Sequence, residues 1–286
     1  MTQKEPVSLT SADGVTTITL DRPERKNAID EAMWRTLRDM LQHVRNDADT
    51  RVVVLQGAGG DFCAGADVAS SAHEEHPIPR LRRIGDVALA LFELPMPVIA
   101  KVDGVAAGAG CNMALACDVV VASSRARFTE IFTRRGLSID FGGSWLLPRV
   151  VGLQQAKRLA LLAEVIDAAE AHRLGMVTWI QPEHQLDDFV ADIAQKLAAL
   201  PPIALEQTKA LLNEGVGVDL PTAIRNEAAA QAVNFATEDA PAAFRAFLGK
   251  TGPPRYTGRW ALRSPGASRP GEAIDGLPDP ILRAAP

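Results

Sequence analysis

Hydrophobic and polar residues alternate near the start of the chain, from Val7 to Leu20, with a break at Ala12-Asp13-Gly14. A period of two is typical of a β-strand, and an Asp-Gly pair between two such runs favours a hairpin. The sequence therefore predicts two antiparallel strands at the start of the chain.

Helical and strand patterns then follow in alternation. Asp30 is a predicted N-cap for a helix whose hydrophobic stripe has helical spacing and consists of Met33, Leu37, Met40, Leu41 and Val44. The run from Arg51 to Leu55 is too hydrophobic for an exposed strand and predicts a central one. A second and a third strand are predicted from Val98 to Val102 and from Val119 to Ala122. Helical segments separate these runs, so we expect an α/β fold with βα crossovers and a sheet covered by helices.

The pattern changes after about residue 150 and becomes mainly helical. Five segments have helical spacing: Gln154 to Leu162, Asp167 to Leu174, Leu186 to Leu200, Leu205 to Leu212 and Pro221 to Thr237. One short apolar run, Met176 to Ile180, predicts a further strand. The polar, proline-broken stretch from Ala69 to Arg83 predicts a mobile loop.

These patterns divide the chain into three predicted regions. A core spans residues 1–200, a helical region spans 201–258, to which the family resemblance described below gives a role in oligomerisation, and a flexible tail rich in Pro, Gly, Arg and Ser spans 259–286.

Composition narrows the class of protein without indicating its chemistry. The chain carries 30 basic and 35 acidic residues and has neither a basic block nor a basic amphipathic stretch, so neither nucleic acid nor a membrane surface is an expected partner. No apolar run approaches the roughly 20 residues that a membrane-spanning helix needs. The three cysteines, Cys63, Cys111 and Cys117, have no metal-binding spacing and predict reduced, packed thiols in a cytoplasmic protein.

Two glycine-rich loops each follow directly after a predicted central strand. The first runs from Gly57 to Asp67 and the second from Gly104 to Asn112. Small residues let the backbone approach a ligand and leave amide N–H groups pointing outward. Two such loops on neighbouring strands can aim two N–H groups at one oxygen, which is the arrangement that stabilises a developing oxyanion.

Other interpretations of these loops compete with that one. A dinucleotide fingerprint starting at Gly57 would need glycine where Phe62 stands, and no Lys-Ser/Thr pair follows as in a phosphate-binding loop. The glycines could instead serve only close packing between strands and helices. Asp67 is in addition a predicted N-cap of the next helix.

Four motifs together resemble the crotonase (enoyl-CoA hydratase/isomerase) superfamily. They occur in the family's order over about residues 5–258 and consist of Asp21 to Ala28, Phe62 to Asp67, Gly104 to Asn112 and Gly136 to Arg149. The last motif is most similar to the members that isomerise ring-derived acyl-CoA thioesters.

The resemblance implies a crotonase-like spiral of ββα units with a C-terminal helical trimerisation layer, assembled as a homotrimer or hexamer. It places the thioester oxygen of an acyl-CoA substrate between the backbone N–H groups of Ala66 and Ala109. The residues that it implies around coenzyme A are Arg25, Lys26, Ala28, Ala64, Asp67 and Val68, with Phe247 and Lys250 of the final helix completing the nucleotide site. Coenzyme A is part of the substrate, and the resemblance implies neither a separate cofactor nor a metal.

The residues that would carry acid–base chemistry depart from the family pattern. Hydratases of the family use two glutamates, whereas this chain has Asn112 at the first position and Glu130 near the second, with Phe132 as the alternative match. An amide can hold a water molecule but cannot accept its proton. Asp140 matches the aspartate that moves a proton along the acyl chain in the resembling isomerases. The structural alternatives are a helix cap for Asn112, a surface or interface carboxylate for Glu130 and an N-cap for Asp140.

Two reactions remain open at this point. In the isomerase interpretation, Asp140 removes a proton at C2 or C4 and returns it at another carbon. In the hydratase interpretation, Glu130 and Asp140 share the acid and base roles while Asn112 positions water. A catalytically weak or silent acyl-CoA-binding homologue is the third interpretation, which the presence of both carboxylates disfavours. A metal site at His73-Glu74-Glu75-His76 is disfavoured because its histidines are three apart, not four.

Overall fold

The fold is a mixed α/β structure in which a six-stranded sheet and a smaller three-stranded sheet are surrounded by helices. The computed structural model describes residues 5–69 and 76–261. The strands in chain order are β1 (Val7–Ala12), β2 (Val15–Leu20), β3 (Val52–Gly57), β4 (Val98–Val102), β5 (Val105–Ala107), β6 (Val119–Ser123), β7 (Arg127–Thr129), β8 (Val165–Asp167) and β9 (Trp179–Gln181). The helices are α1 (Glu31–Arg45), α2 (Pro77–Phe92), α3 (Ala109–Leu115), α4 (Gly143–Val151), α5 (Leu153–Leu162), α6 (Ala168–Arg173), α7 (Leu186–Ala198), α8 (Pro202–Gly215), α9 (Leu220–Phe235) and α10 (Asp239–Leu248).

The larger sheet has the order β1-β2-β3-β4-β6-β9. Only the β1–β2 pair is antiparallel; every later neighbour is parallel, as the predicted βα crossovers require. The smaller sheet has the order β5-β7-β8. The parallel pairing of β5 with β7 brings the segment after Thr129 beside the second glycine loop. The smaller sheet therefore places Glu130 close to this loop.

The predicted hairpin is confirmed at the start of the chain. Asp13 and Gly14 have φ values of 51° and 78°, the pair of left-handed conformations that a tight turn between two twisted strands needs. The predicted N-cap is also confirmed, because the Asp30 side chain accepts a hydrogen bond from the Met33 N–H at 2.9 Å. Helix α1 then buries its hydrophobic stripe in the main core.

Two predicted elements differ from those observed. The strand predicted from Met176 to Ile180 begins only at Trp179, because Met176 and Val177 pack as core side chains before the chain reaches the sheet edge. The loop predicted from Ala69 to Arg83 is wrong in its second half, where α2 begins at Pro77. The first turn of α2 tolerates proline because its N–H groups have no intrahelical partner.

The last helices extend away from the sheets. Helix α7 packs on β3, β4 and β6 and closes a second, smaller hydrophobic cluster, while α8 to α10 mainly contact one another. At the start of the predicted tail, the Arg259 carbonyl accepts a hydrogen bond from Glu238, and Ala261 donates one to Ala236. The three predicted regions stay a prediction, and residues 262–286 lie outside the described residues.

In the part of the chain that the structure describes, none of the helices combines the length and hydrophobicity needed to cross a lipid bilayer.

Candidate active site

The two glycine loops meet at the ends of β3 and β4. Cys63 donates its backbone N–H to the Val105 carbonyl at 2.9 Å, and its own carbonyl accepts from Ala107 at the same distance. These two bonds hold the first loop against the second as a short bridge between Cys63 and Ala106. The predicted meeting of two loops on neighbouring strands is therefore observed.

Glycine is required where the loops touch. Gly65 has a φ of 90°, and a Cβ there would lie 2.7 Å from the Ala107 carbonyl oxygen and 3.4 Å from the Ala109 nitrogen. A Cβ on Gly110 would lie 2.2 Å from the Cys63 carbonyl oxygen. The packing interpretation of the glycines is therefore correct for these positions, and the same close approach brings Gly65 and the start of α3 together.

The segment from Asp21 to Ala28 forms hydrogen bonds with the backbone of the first glycine loop. Asn27 is fully buried, and its side-chain nitrogen donates to the carbonyls of Ala58 at 2.8 Å and Asp61 at 2.7 Å. Ile29 donates to the Gly65 carbonyl and accepts from Asp67. Sequence reasoning missed Asn27, although its position inside a motif was a signal.

The amides of Ala66 and Ala109 differ from those of the residues around them in having no acceptor among the described residues. Their neighbours are bonded, since Asp67 donates to Ile29 at 2.9 Å and Gly108 to Thr129 at 2.9 Å. Within the described residues, no acceptor takes a hydrogen bond from the Ala66 or Ala109 N–H. An N–H group held by bonded neighbours and lacking its own partner can donate to a ligand oxygen.

A cavity of about 350 Å³ opens beside Ala66. Most of its wall is hydrophobic and comes from α1, α2 and the segment before α4. The side chains and backbone that line it are Ile29, Glu31, Trp34, Ala66, Asp67, Val68, Pro77, Arg80, Leu81, Ile84, Gly85, Leu137, Ser138, Ile139, Asp140 and Phe141. An apolar cavity with a few polar groups is the usual form of a small-molecule site.

Asp140 is the acidic side chain that the last motif contributes to this cavity. Its backbone carbonyl is held by the Gly143 N–H at 2.9 Å and the Asn112 side chain at 3.0 Å. Phe141 follows with a φ of 50° and packs its ring against Trp34, with 5.7 Å between ring centroids. The backbone of Asp140 is thus held in place, and the side-chain Oδ1 is buried with no hydrogen-bond partner among the described residues.

Glu130 and Asn112 lie behind the cavity wall. Glu130 is 1% exposed, and its Oε2 accepts a hydrogen bond from the Asn112 side chain at 3.3 Å. The other oxygens of the two side chains, Glu130 Oε1 and Asn112 Oδ1, are buried and lack described partners. Asn112 therefore links Glu130 to the Asp140 backbone, and unpaired oxygens remain on all three residues.

Burial raises the pKa of both carboxyl groups. It raises the pKa of Asp140 from 3.8 to about 6. It raises the pKa of Glu130 from 4.5 to about 7; the Cys111 and Asn112 side chains oppose this increase and the negative charge of Asp140 adds to it. A carboxyl group with a pKa near neutrality can both accept and return a proton.

The structural alternatives for these residues are not observed. Gly142, not Asp140, is the N-cap of α4, and Asn112 lies inside α3 with no capping role. Glu130 is buried, so it is not a surface carboxylate of this subunit. Phe132 is buried with its ring near Gly108, and its carbonyl accepts a hydrogen bond from Leu137 at 3.0 Å. The predicted N-cap at Asp67 is wrong, since α2 begins at Pro77 with His76 as its cap.

The residues predicted around coenzyme A surround the first glycine loop. Arg25 and Lys26 end a short 3₁₀ turn, and Lys26 accepts a backbone hydrogen bond from Ala64 at 2.9 Å. Ala28 accepts one from the Arg22 side chain, which also pairs with Asp67 at 2.9 Å. Val68 is exposed at the cavity mouth.

Phe247 and Lys250 are distant from this group. Phe247 is 80% exposed near the end of α10, and Lys250 lies beyond the helix, contrary to its predicted place on it. The cavity lining includes neither residue. Their predicted role in a neighbouring subunit's nucleotide site stays a prediction.

The His73-Glu74-Glu75-His76 motif, at which a metal site is disfavoured, falls partly on residues 73–75, which lie outside the described residues. Among the residues that are described, no group of three or more His, Cys, Asp or Glu side chains could hold a metal ion.

Comparisons with known proteins show the family to which the chain belongs. The family model described as enoyl-CoA hydratase/isomerase matches residues 10–259. The chain is 37% identical to the 1,2-epoxyphenylacetyl-CoA isomerase of Escherichia coli, over 86% of this chain and 96% of that one. It is 35% identical to the short-chain-enoyl-CoA hydratase of Clostridium acetobutylicum, over 82% of this chain and 92% of that one.

Solved structures confirm the predicted fold. The crystal structure of an enoyl-CoA hydratase from Bacillus anthracis superposes with a TM-score of 0.84 at 34% identity, covering 89% of this chain and all of that one. The chain therefore belongs to the enoyl-CoA hydratase/isomerase family, has the crotonase fold and is an enzyme of the class that acts on acyl-CoA thioesters.

Proposed function

We propose that this enzyme isomerises an enoyl-CoA thioester and that Asp140 moves the proton. One observation carries the proposal: Asp140 places an unpaired, buried carboxylate in the same cavity that the Ala66 amide borders. Similarity to both an isomerase and a hydratase leaves the reaction open between these two classes.

In the proposed reaction, the thioester oxygen accepts hydrogen bonds from the Ala66 and Ala109 N–H groups. Asp140 removes a proton from C2 or C4, and the electron pair of the broken C–H bond moves into the thioester to form an enolate. The same carboxyl group returns the proton at another carbon, and the double bond shifts without loss or gain of atoms. Each N–H group stabilises the negative charge as it develops, and losing one such donor typically costs about 3 to 4 kcal/mol of activation free energy.

Deuterium exchange tests the role of Asp140. A 3-enoyl-CoA incubated in D₂O should gain deuterium at C2 and C4 with the wild-type enzyme. Asp140→Asn should slow this exchange by about 10² to 10⁴, because the amide cannot accept the proton. Asp118→Asn is a matched control that removes a carboxylate outside the cavity, where Asp118 binds Lys209 at 2.6 Å. Exchange that is equally fast in wild type and Asp140→Asn would overturn the proposal.

Hydration is the second candidate, and the pair formed by Glu130 and Asn112 favours it. Their unpaired oxygens, Oε1 and Oδ1, could hold a water molecule that Glu130 deprotonates while Asp140 acts as the acid. Loss of the conjugated thioester absorbance of crotonyl-CoA measures this reaction. A rate that falls in Glu130→Gln would support hydration, and a negligible wild-type rate would exclude it for this substrate.

The proposed assembly, cellular compartment and coenzyme A contacts rest on the resemblance to the family. The enzyme would work as a homotrimer or hexamer in the cytoplasm, and coenzyme A would enter only as part of the substrate. Arg25, Lys26, Ala28, Ala64, Asp67 and Val68 would bind the coenzyme A portion. A silent binding protein is not favoured, because both carboxyl groups are retained at the site and the named relatives are enzymes.

A further inference from the structure

The cavity face of α2 is hydrophobic except for one cation. The helix contributes residues at helical spacing, which are Pro77, Arg80, Leu81, Ile84 and Gly85. Arg82 and Arg83 do not line the cavity, and Arg83 binds Glu31 at 2.8 Å. Arg80 is therefore the basic residue of the described cavity wall.

Arg80 lacks a partner for its Nε in the part of the chain that the structure describes. Its Nε is buried and no acceptor for it exists among residues 5–69 and 76–261, where the guanidinium also forms no ion pair. A buried donor without a partner is unfavourable, and more so on a charged group. A guanidinium presents a planar fork of donors that fits the two oxygens of a carboxylate.

The other charged groups of the wall leave this positive charge unmatched. Glu31 is paired with Arg83 at 2.8 Å and with Arg35 at 3.6 Å. Asp67 is paired with Arg22 at 2.9 Å. Arg80 Nε and Asp140 Oδ1 both lack a hydrogen-bond partner among the described residues, so these two groups are not bonded to each other.

The space beside Arg80 can hold an extended acyl group. A Cβ added to Gly85, one turn further along the same face, would have no atom within 4 Å. The rest of this wall comes from Leu81, Ile84 and Leu137, which would contact methylene groups. The cavity thus offers a proton-transfer group, a hydrophobic stretch and a cation.

We propose that Arg80 determines specificity by binding a carboxylate on the acyl group, so that the preferred substrates are coenzyme A thioesters of unsaturated dicarboxylic acids. This inference rests on the proposed function, since it takes the cavity as the acyl site. The carboxylate would accept two hydrogen bonds from the guanidinium, while the thioester end lies at Ala66. A neutral acyl group of equal length would leave Arg80 unpaired and would bind more weakly.

Binding of two saturated thioesters tests the inference without any turnover. Adipoyl-CoA and hexanoyl-CoA differ only in a terminal carboxylate and a methyl group, and titration calorimetry gives the dissociation constant of each. We expect the wild-type enzyme to bind adipoyl-CoA more tightly. Arg80→Met should weaken adipoyl-CoA binding about 10- to 100-fold and leave hexanoyl-CoA binding nearly unchanged.

Matched variants separate this role from a general effect of charge. Arg82→Met removes an exposed cation from the same helix and should leave both dissociation constants unchanged. Arg80→Lys should restore part of the preference, because lysine keeps the charge but not the planar fork. Equal weakening of adipoyl-CoA, hexanoyl-CoA and free coenzyme A in Arg80→Met would assign Arg80 to the coenzyme A phosphates and overturn the inference. Equal wild-type affinity for the two thioesters would also overturn it.

Exchange measurements distinguish failure of this inference from failure of the proposed function. Wild-type enzyme in D₂O is given 3-hexenedioyl-CoA and 3-hexenoyl-CoA. Exchange at C2 of both at equal kcat/KM would leave the isomerase proposal intact and contradict the role of Arg80. Selective binding of adipoyl-CoA without exchange in either unsaturated thioester would support Arg80 as the specificity residue and contradict the isomerase reaction.

Discussion

At the scale of single residues, the site brings two carboxyl groups and an amide into a largely hydrophobic interior. Glu130 and Asn112 are almost completely buried, and each keeps one oxygen without a described partner. Such groups are unfavourable in a folded protein unless a ligand or water pairs with them. Buried oxygens of this kind therefore lower the free energy of unfolding of the protein when no ligand or water pairs with them.

Glu130→Gln should stabilise the enzyme at high pH. The folded-state pKa of about 7 lies above the ordinary 4.5, so the folded protein holds this proton more tightly than the unfolded chain. The contribution of protonated Glu130 to the free energy of unfolding is therefore fully present below about pH 4.5 and is lost as the pH rises through about 7. We expect a gain of about 2 to 3 kcal/mol in the free energy of unfolding at pH 8, which disappears near pH 4.

Urea denaturation at both pH values measures this gain. Glu214→Gln, at an exposed position of α8, is the control and should change little at either pH. A Glu130→Gln enzyme that is less stable than wild type at pH 8 would show that Glu130 makes a favourable ionic contact instead.

The rate of proton exchange should follow the ionisation of Asp140. A base must be deprotonated to act, and the pKa of Asp140 is about 6. The exchange rate at C2 should therefore rise with pH up to about 6 and then level off. A profile that stays flat between pH 4 and pH 8 would contradict Asp140 as the base.

Sequence patterns predicted part of this site. The loops and Asp140 could be predicted because their residues lie in compact motifs with strong local constraints. Arg80 and Asn27 could not, because their roles depend on contacts made by distant segments. Arg80 in addition lies in a stretch whose prolines concealed the first turn of a helix.

At the scale of elements, the start of α4 lies directly against α3. A Cβ added to Gly143 would lie 2.3 to 2.5 Å from the side-chain amide of Asn112. Alanine normally favours a helix over glycine, so this glycine keeps room for the amide that joins Glu130 to the Asp140 backbone.

Gly143→Ala should destabilise the enzyme by about 1 to 3 kcal/mol, because Asn112 must move to make room. It should also slow deuterium exchange, since the Asp140 carbonyl loses its hydrogen bond to Asn112. Gly215→Ala is the control: it lies in α8 with no atom within 4 Å of the new Cβ and should be neutral or slightly stabilising. Thermal unfolding of both variants measures the difference, and a Gly143→Ala enzyme as stable as Gly215→Ala would contradict the packing argument.

The elements themselves were largely predictable because hydrophobic periodicity and capping agree in most of them. The strand after α6 was misplaced, since Met176 and Val177 are apolar for core packing and not for sheet pairing. A short, mostly apolar run such as Met176 to Ile180 does not distinguish these two uses.

At the scale of the whole molecule, the last three helices expose large hydrophobic side chains. Leu212, Leu220, Phe235 and Phe247 are 61 to 80% exposed in a single subunit. Exposed hydrophobic surface of this extent is typical of an interface between subunits. The resemblance to the family predicts a homotrimer or hexamer, so sedimentation should give a mass three or six times 30.5 kDa, and a mass equal to one chain at micromolar concentration would contradict the predicted assembly.

The segment around Ala66 has a consequence for the exchange of its amide hydrogens with solvent. Ala64 and Asp67 donate their N–H groups to Lys26 and Ile29, whereas the Ala66 N–H between them has no described acceptor. Hydrogen exchange should thus be fast at Ala66 and slow at its two bonded neighbours. A bound thioester oxygen would slow exchange at this one amide while its neighbours stay unchanged.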